Sequence, residues 1–435
     1  MPAKAERTKS AQSKRNVEQA KQRKTGKVDL GVVYRRCCGV DVHKDTVVAC
    51  IVDDQGCMQV QTFGTMTDDL LELCGRLKEA QVEMVAMEST ASYWKPLFNL
   101  LEMEEIPAMV VNAQHVKNLP GRKTDVEDSE WLASLLRLGL LRPSFIPKRD
   151  HRELRELIRY RISIVQERSR EYNRMDKVLQ GANIKLSSVA SSLETKSGME
   201  MITALTQGEC NPIVMASMAK GTMRAKTEDL KRALTGYIQP HQRMILKAML
   251  SHIECLSKEL QILDEEIIRR LADREDIEQR LQAIPGVAEY SAQVLIAEVG
   301  TDMSQFKSAK HLVSWAGLCP GKNESAGKKK RGQKRKGNKT LRTTLVQCAR
   351  SAARSKNTYL SSMYARIAAR RGANVAAVAV ARTILETFFY MVRDGKDYHD
   401  LGCDYYDERN REHLRDRAVK RLENLGYKVV LEEVV

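Results

Sequence analysis

The sequence predicts an α/β domain on its N-terminal side, followed by long helices and a mainly α C-terminal domain. Two observations predict this organisation. Between residues 34 and 147, short β-branched runs alternate with amphipathic helical patterns, as in a sheet covered by helices. Beyond that point, apolar residues recur at helical spacing in two long charged stretches, residues 148–185 and 228–282. Shorter helical patterns follow at 343–355, 362–370 and 374–393.

The composition favours a nucleic-acid partner. The 435 residues suffice for two or three domains, and 43% are hydrophobic. The net charge of +16 and the pI of about 9.3 point to a polyanion, with an anionic membrane surface as the alternative. We find no apolar run of spanning length and no signal-peptide core, so we expect a cytoplasmic protein without a membrane partner. The ten cysteines lack metal-ligand spacing, which predicts reduced thiols and no zinc site.

Five segments follow from these patterns. Residues 1–33 are predicted to form a disordered basic arm, or only a solubilising tail, because residues 1–28 are polar and rich in Lys and Arg. Residues 34–147 form the α/β domain. Residues 148–279 are a helical coiled-coil linker whose helices pair with each other or with another subunit. Residues 280–395 form the mainly α domain, and residues 396–435 are a tail to which we assign no function.

The elements of the α/β domain are predicted in order. Strands at 36–42, 45–52 and 57–63 form a meander, because a turn at Gly56 precedes the third. Thr67 caps a helix over 68–80. The next elements are a buried strand over 83–87, a helix through Trp94 and Leu101, a strand over 108–111 and a helix that opens at Asp125.

Four carboxylates lie on strands and on a helix face where they could bind a metal ion. Asp41 lies on the first strand and Glu88 ends a later apolar strand, while Asp125 and Asp128 share one helix face. Carboxylate oxygens are ligands that suit Mg²⁺ or Mn²⁺. The alternatives are a solvent-facing acid at a strand end and an ordinary acidic first helical turn. The combination favours a metal site.

The C-terminal domain carries two candidate DNA contacts. Ile284-Pro285-Gly286-Val287 predicts a helix-hairpin-helix whose turn presents backbone amides to a phosphate, with a plain tight turn as the alternative. Residues 321–342 predict a flexible basic loop, because every charge from 322 to 342 except Glu324 is positive and glycines recur. Ser325 in this loop is a candidate nucleophile or an ordinary loop serine. The candidate nucleic-acid-binding residues of hairpin and loop are Gly286, Lys322, Lys328, Lys329, Lys330, Arg331, Lys334, Arg335, Lys336, Lys339 and Arg342.

Two sets of motifs together resemble one protein family. The first set is Gly39-Val40-Asp41-Val42-His43-Lys44, Met87-Glu88-Ser89-Thr90 and Lys123-Thr124-Asp125-Val126-Glu127-Asp128. The second set is Gly317-Leu318-Cys319-Pro320, Ser325-Ala326-Gly327, Lys336-Gly337-Asn338 and Leu341-Arg342. They resemble the RuvC-like (RNase H-like) DEDD domain and the C-terminal serine transposase domain of bridge-RNA-guided insertion-sequence transposases, the IS-one-ten family. The chain departs from the family pattern at Ala91, Ser129 and Ala326, where glycine, alanine and glycine are usual.

The resemblance implies a DNA recombinase. In the family, Asp41, Glu88, Asp125 and Asp128 would bind Mg²⁺ or Mn²⁺, and Ser325 would form a covalent phosphoserine with double-stranded donor and target DNA. The family also implies a non-coding bridge RNA that pairs with both DNAs, and a homo-oligomer that is a dimer and, in the synaptic complex, a tetramer. Its members act in the bacterial or archaeal cytoplasm at the nucleoid. The alternatives are a RuvC-like junction nuclease that uses metal and water without Ser325, and a non-enzymatic nucleic-acid-binding protein.

Overall fold

The computed structural model describes residues 31–89, 91–112, 125–319, 323–325, 328–330 and 337–431. The chain divides into two compact units, Met1–Ile146 and Pro147–Val435. Almost all of the predicted basic arm, residues 1–30, lies outside the described residues. The first unit is built on a sheet, whereas the second is mainly helical.

A five-stranded sheet forms the centre of the first unit. Its order is β3-β2-β1-β4-β5; β1, β2 and β3 form an antiparallel meander, and β1, β4 and β5 run parallel. All six residues of β1 are buried, because helices cover both faces of the sheet at this strand. The strands are β1 (Cys37–Val42), β2 (Val47–Val52), β3 (Met58–Phe63), β4 (Met84–Glu88) and β5 (Ala108–Val111). The predicted strands are therefore confirmed, with shifts of one or two residues at their ends.

Three helices flank this sheet: α1 (Thr67–Glu79), α2 (Trp94–Met103) and α3 (Asp125–Arg137). Helices α1 and α2 pack leucines such as Leu73 on one face of the sheet, and α3 packs Ala133 on the other. The prediction that Thr67 caps the first helix is wrong by one residue. Met66 occupies the N-cap position, and the Asp69 carboxylate accepts a hydrogen bond from the Met66 amide at 3.3 Å.

Two long antiparallel helices, α4 (Arg149–Gly181) and α8 (Pro240–Leu271), organise the second unit. Ion pairs between Glu153 and Arg270 (2.8 Å) and between Arg161 and Asp264 fix their antiparallel register. At their far end, three short helices enclose a separate apolar core. These short helices are α5 (Lys196–Gln207), α6 (Pro212–Ser217) and α7 (Thr227–Leu234).

The prediction of one long helix over 228–282 is wrong. The chain forms three helices there: α7, α8 and α9 (Glu275–Gln282). Gly236 lies so close to α4 that an added Cβ would stand 2.5 Å from the Ala182 carbonyl oxygen, and Pro240 then opens α8 at its first turn. Glycine and proline therefore separate α7 from α8, although the apolar spacing on either side is helical.

Most of the remaining helices form the C-terminal core around α14, whereas the final two, α15 and α16, contribute no buried residue among those described. The remaining helices are α10 (Glu289–Val299), α11 (Ala309–Trp315), α12 (Lys339–Ala352), α13 (Tyr359–Arg371), α14 (Ala373–Asp394), α15 (Tyr405–Arg409) and α16 (Arg411–Asn424). By length and composition alone, α14 is the one described helix that could cross a membrane, which contradicts the expectation of no such run. Half of the 18-residue apolar stretch of this helix is buried in the protein, and Phe388 and Phe389 lie inside the core.

Candidate active site

Asp41 and Glu88 lie at the carboxyl-terminal ends of two neighbouring parallel strands, Asp41 as the last residue but one of β1 and Glu88 as the last residue of β4. Val40 of β1 pairs with Met87 of β4, and Asp41 and Glu88 are the next residues on each strand. Because paired residues of a parallel ladder point to the same face, both carboxylates belong to the face covered by α3. The Asp41 side chain is only 11% exposed, and its Oδ2 lies 2.9 Å from His43 Nε2.

Helix α3 lies directly on β1 at Gly39. An added Cβ at this glycine would lie 2.3 Å from the Ser129 carbonyl oxygen, so a side chain would push the helix away. The Cys37 thiol donates to the Ala133 carbonyl oxygen at 3.6 Å, which shows that α3 runs antiparallel to β1. The first turn of α3, with Asp125 and Asp128, is therefore directed toward the strand end that carries Asp41.

The predicted four-carboxylate metal site is assembled only in part. Asp41 and Glu88 are adjacent, Asp128 is half-buried, and the side chain of Asp125 lies outside the described residues. Among the side chains that the structure describes, no group of three or more His, Cys, Asp or Glu is arranged to hold a metal ion. The donor chemistry itself fits a hard divalent cation, because every candidate ligand is a carboxylate.

Thiol groups near this centre are unsuited to catalysis. Burial raises the pKa of Cys37 to about 11 and that of Cys50 to about 12. Burial also raises the pKa of Cys38. The thiolate is the reactive form of cysteine, so these side chains stay protonated and act as apolar core residues at neutral pH.

Ser325 lies in a two-stranded hairpin. Strand β6 (Asn323–Ser325) pairs antiparallel with β7 (Lys328–Lys330), and Ser325 stands opposite Lys328. The prediction of a flexible loop over 321–342 is therefore wrong for these six residues, and also for residues 339–342, which begin α12. A two-residue connection that contains glycine, Ala326-Gly327 in the sequence, is typical of a hairpin. The side chains of the six residues are not described.

The remaining candidate DNA contacts fall into two groups. Lys339 is exposed and Arg342 half-buried in the first turn of α12. The residues outside the described part of the chain are Lys322, Arg331, Lys334, Arg335 and Lys336.

Gly286 has a packing role. It adopts φ +85°, and an added Cβ would lie 2.3 Å from the Cys348 carbonyl oxygen of α12. The helix after it, α10, begins with the exposed acid Glu289, whose charge opposes a phosphate at that helix N-terminus. The glycine at position 286 is thus explained by the close packing of the turn 284–287 against α12.

A buried carboxylate, Glu298, was not predicted from the sequence as a special residue. It is 0% exposed near the end of α10 and accepts two hydrogen bonds from Arg159, at 2.7 and 2.8 Å. Arg155 lies 3.3 Å from it and donates to the Glu298 backbone carbonyl oxygen at 2.7 Å. Asn338 donates its Nδ2–H to Glu298 Oε2 at 2.5 Å. An acid inside the buried run 294–299 is the sequence signal that could have revealed such a network, because a buried charge needs partners.

The arginines of this network lie in different surroundings. Burial lowers the pKa of Arg155 to about 10, although the Glu298 charge counteracts it. Arg155 therefore stays charged at neutral pH. The Arg159 side chain is 48% exposed, so it brings its charge to Glu298 from the surface.

Comparisons with known proteins give a consistent result. Residues 38–184 match a DEDD transposase family model of the IS110 type, described as "Transposase". Residues 278–365 match a second model, described as "Transposase IS116/IS110/IS902 family". The chain is 26% identical over 353 residues, 79% of its length, to the transposase for insertion sequence element IS1111A of Coxiella burnetii, and the match covers 85% of that relative.

Two further relatives match over shorter regions. A probable family 20 transposase of Pseudomonas aeruginosa is 35% identical over 107 residues, which cover 24% of this chain and 31% of that protein. The transposase for insertion sequence element IS1328 of Yersinia enterocolitica is 32% identical over 114 residues, or 26% and 34% of the two chains.

Proposed function

The chain belongs to the IS110 family of insertion-sequence transposases, and from this premise we propose that it cuts and rejoins DNA through a covalent phosphoserine at Ser325. A transposase of this family is an enzyme that cleaves and recombines DNA, and its DEDD domain implies dependence on a divalent metal ion. The resemblance seen in the sequence is thus confirmed at the level of the family.

The observation that carries the metal site of this proposal is the adjacency of Asp41 and Glu88 near the ends of β1 and β4, beneath the first turn of α3. The role of Ser325 is supported by its pairing with the lysine-rich strand β7, inside the region that matches the second transposase model. We propose that the α/β domain of the first unit is RuvC-like. The order of its sheet supports this, because an antiparallel meander of three strands is followed by two strands parallel to β1. Asp41, Glu88, Asp125 and Asp128 would hold Mg²⁺ or Mn²⁺. The bound ion would supply Lewis-acid stabilisation of charge on a phosphate.

Ser325, in the hairpin of β6 and β7, would form the covalent bond to DNA. The Ser325 hydroxyl attacks a scissile phosphorus, an Oγ–P bond forms, and the bond from phosphorus to the leaving DNA oxygen breaks. Ser325 gives its proton to solvent, and the leaving oxygen takes one up, so no water is consumed. The hydroxyl of the DNA end to be joined then attacks the phosphorus and loses its proton to solvent, the Oγ–P bond breaks, and Ser325 takes up a proton, so that the backbone is resealed and the serine is regenerated. The lysines of β7 and the basic residues around it would stabilise the negative charge that develops on the phosphate.

The proposal includes further partners. We propose double-stranded donor and target DNA, a structured bridge RNA whose loops pair with both, and a homo-oligomer, a dimer that becomes a tetramer in the synaptic complex. The 72 Lys and Arg against 56 Asp and Glu support binding to nucleic acid. Base pairing between the bridge RNA and the DNA would then recognise the DNA sequence, and the protein would mainly contact the shape and the backbone of the nucleic acids.

Trapping of the protein–DNA adduct tests this function. The purified protein is incubated with its element-end DNA, the flanking transcript and Mg²⁺, and denaturing gels are run. We expect an adduct that maps by mass spectrometry to Ser325, disappears in Ser325→Ala, and persists in Ser351→Ala. Ser351 is a suitable control because it is exposed on α12 of the same unit.

Free cleavage products without an adduct, unchanged in Ser325→Ala, would overturn the proposal in favour of the junction nuclease. Binding without cleavage would favour a non-enzymatic binding protein.

A further inference from the structure

The segment that carries Ser325 leaves the helical core at a narrow point, which we call the neck and define as Gly317, Gly337 and Asn338. An added Cβ at Gly337 would lie 2.5 Å from the Gly317 backbone nitrogen and 2.7 Å from the Ala316 carbonyl carbon. Gly317 adopts φ +75°, which favours glycine. Gly317 and Gly337, which flank the segment 318–336, therefore lie in backbone contact.

Asn338 connects the neck to helix α12. Its Oδ1 accepts a hydrogen bond from the Leu341 amide at 3.1 Å, so it is the N-cap residue of α12. Its Nδ2 donates to Glu298. The Asn338 side chain thus follows the segment that carries Ser325, caps the next helix and contacts a buried carboxylate.

Glu298 is firmly held by the long helix α4. Arg159 binds both of its carboxylate oxygens, a bidentate arrangement that fixes the orientation of the carboxylate as well as its charge. Arg155 donates to the backbone carbonyl oxygens of Ala297 and Glu298, at the end of α10. Apolar residues of similar volume often stabilise a core as well as buried ion pairs do, so stability alone does not require this network.

We propose that Glu298 is a positioning residue, which fixes Asn338 and the neck and so sets the direction from which Ser325 approaches DNA. The argument for a fixed neck stands on the contacts just described. The link to catalysis rests on the proposed function of Ser325. Glu298 itself contacts no DNA in this proposal, and acts only through Asn338.

Asn338→Asp tests the proposal without removing the helix cap. Aspartate caps a helix N-terminus as well as asparagine does, but it lacks the N–H donor and places a second carboxylate against Glu298. Asn211→Asp is the matched control, because Asn211 caps α6 in the same unit and accepts from the Ile213 amide at 3.0 Å. Asn338→Ser is the second variant, since serine also caps but is too short to replace the Asn338 contact with Glu298.

The first readout is hydrogen exchange of the full-length protein, followed by mass spectrometry. Loss of a hydrogen bond to a charged group costs about 1.5 kcal/mol or more, so we expect peptides over 314–319 and 337–342 to exchange about tenfold faster in both Asn338 variants. Peptides from the α4–α8 pair should exchange as before, and Asn211→Asp should leave the neck unchanged. Unchanged neck exchange in both Asn338 variants would overturn the proposal. Equal acceleration throughout the unit would also overturn it, because that result indicates a merely structural role.

The second readout is the rate of adduct formation under single-turnover conditions, beside DNA affinity. We expect a slower adduct step at saturating DNA in the Asn338 variants with unchanged DNA affinity, because positioning affects the reaction more than binding. A wild-type protein that forms no adduct would refute the phosphoserine function itself. A wild-type protein that forms it, with Asn338 variants that loosen the neck and react at the same rate, would refute only the positioning role.

Discussion

At the residue scale, Asp41 illustrates what a local pattern can predict. An acid on a central, buried strand is expensive to bury alone, and the sequence therefore indicates a partner. The structure places His43 Nε2 at 2.9 Å from it and Glu88 on the neighbouring strand end. The partners of Glu298 escaped prediction because Arg159 lies 139 residues away in the chain, a distance that no local spacing reveals.

Substitution of Asp41 should weaken binding of a divalent ion. We expect Asp41→Asn to lower Mn²⁺ affinity by about tenfold or more, because the affinity of a carboxylate site depends on its number of charged ligands. Electron paramagnetic resonance of free Mn²⁺, titrated with protein in the absence of DNA, measures this directly. Asp45→Asn is the control, since Asp45 is exposed just beyond β1. Equal affinities of wild type and Asp41→Asn would contradict the metal site.

At the element scale, close approaches of backbone decide where helices lie and where they end. The amphipathic spacing correctly predicted the existence of α1, α4 and α8, because one apolar face per helix is enough to bury it. It failed to predict the break between α7 and α8, where Gly236 meets the Ala182 carbonyl group. That contact joins two elements that are distant in sequence, so only the folded chain gives Gly236 its meaning.

Gly39 and Gly75 should respond in opposite ways to the same substitution. Gly39→Ala places a methyl group 2.3 Å from the Ser129 carbonyl oxygen, and we expect about 1–3 kcal/mol of destabilisation together with a displaced α3. Gly75→Ala meets no atom within 4 Å on the exposed side of α1, and we expect about 0.5–1 kcal/mol of stabilisation. Urea unfolding followed by circular dichroism compares the two. A neutral Gly39→Ala would show that α3 is not held against β1.

At the scale of the whole molecule, two kinds of unit occur in one chain, and the sequence predicted their order. The alternation of strand and helix patterns before residue 147, and its absence afterwards, reflects the five-stranded sheet of the first unit and the mainly helical structure of the second. The apolar core at the far end of α4 and α8 was not predicted. The residues that build it, such as Met201 and Met215, come from short helices that are separate in the sequence, so only the folded chain shows that they share one core.

The second unit should lose stability in mild acid through His151. This side chain is 13% exposed, its Nε2 is buried without a hydrogen-bond partner, and its Nδ1 lies 3.3 Å from Asp150 Oδ2. Burial and the positive charges of Arg274 and Arg155 lower the pKa of His151 below its usual 6.5, although Asp150 counteracts them. As pH falls through about 6.5, the unfolded chain binds a proton that the folded chain resists, so the free energy of unfolding decreases.

We therefore expect the urea midpoint of the second unit to fall between pH 7.5 and pH 5.5, above the range in which exposed carboxylates titrate. His151→Gln should reduce this dependence, because the glutamine side chain does not titrate. His241→Gln should leave it unchanged, since His241 is exposed at the start of α8. Tryptophan fluorescence follows the transition in a Trp94→Phe/Trp131→Phe background, because Trp315 is then the one tryptophan left and lies in this unit. The same pH dependence in wild type and His151→Gln would show that another group causes the loss of stability. In that case, the charge of Asp150 is enough to stabilise a protonated His151 in the folded protein.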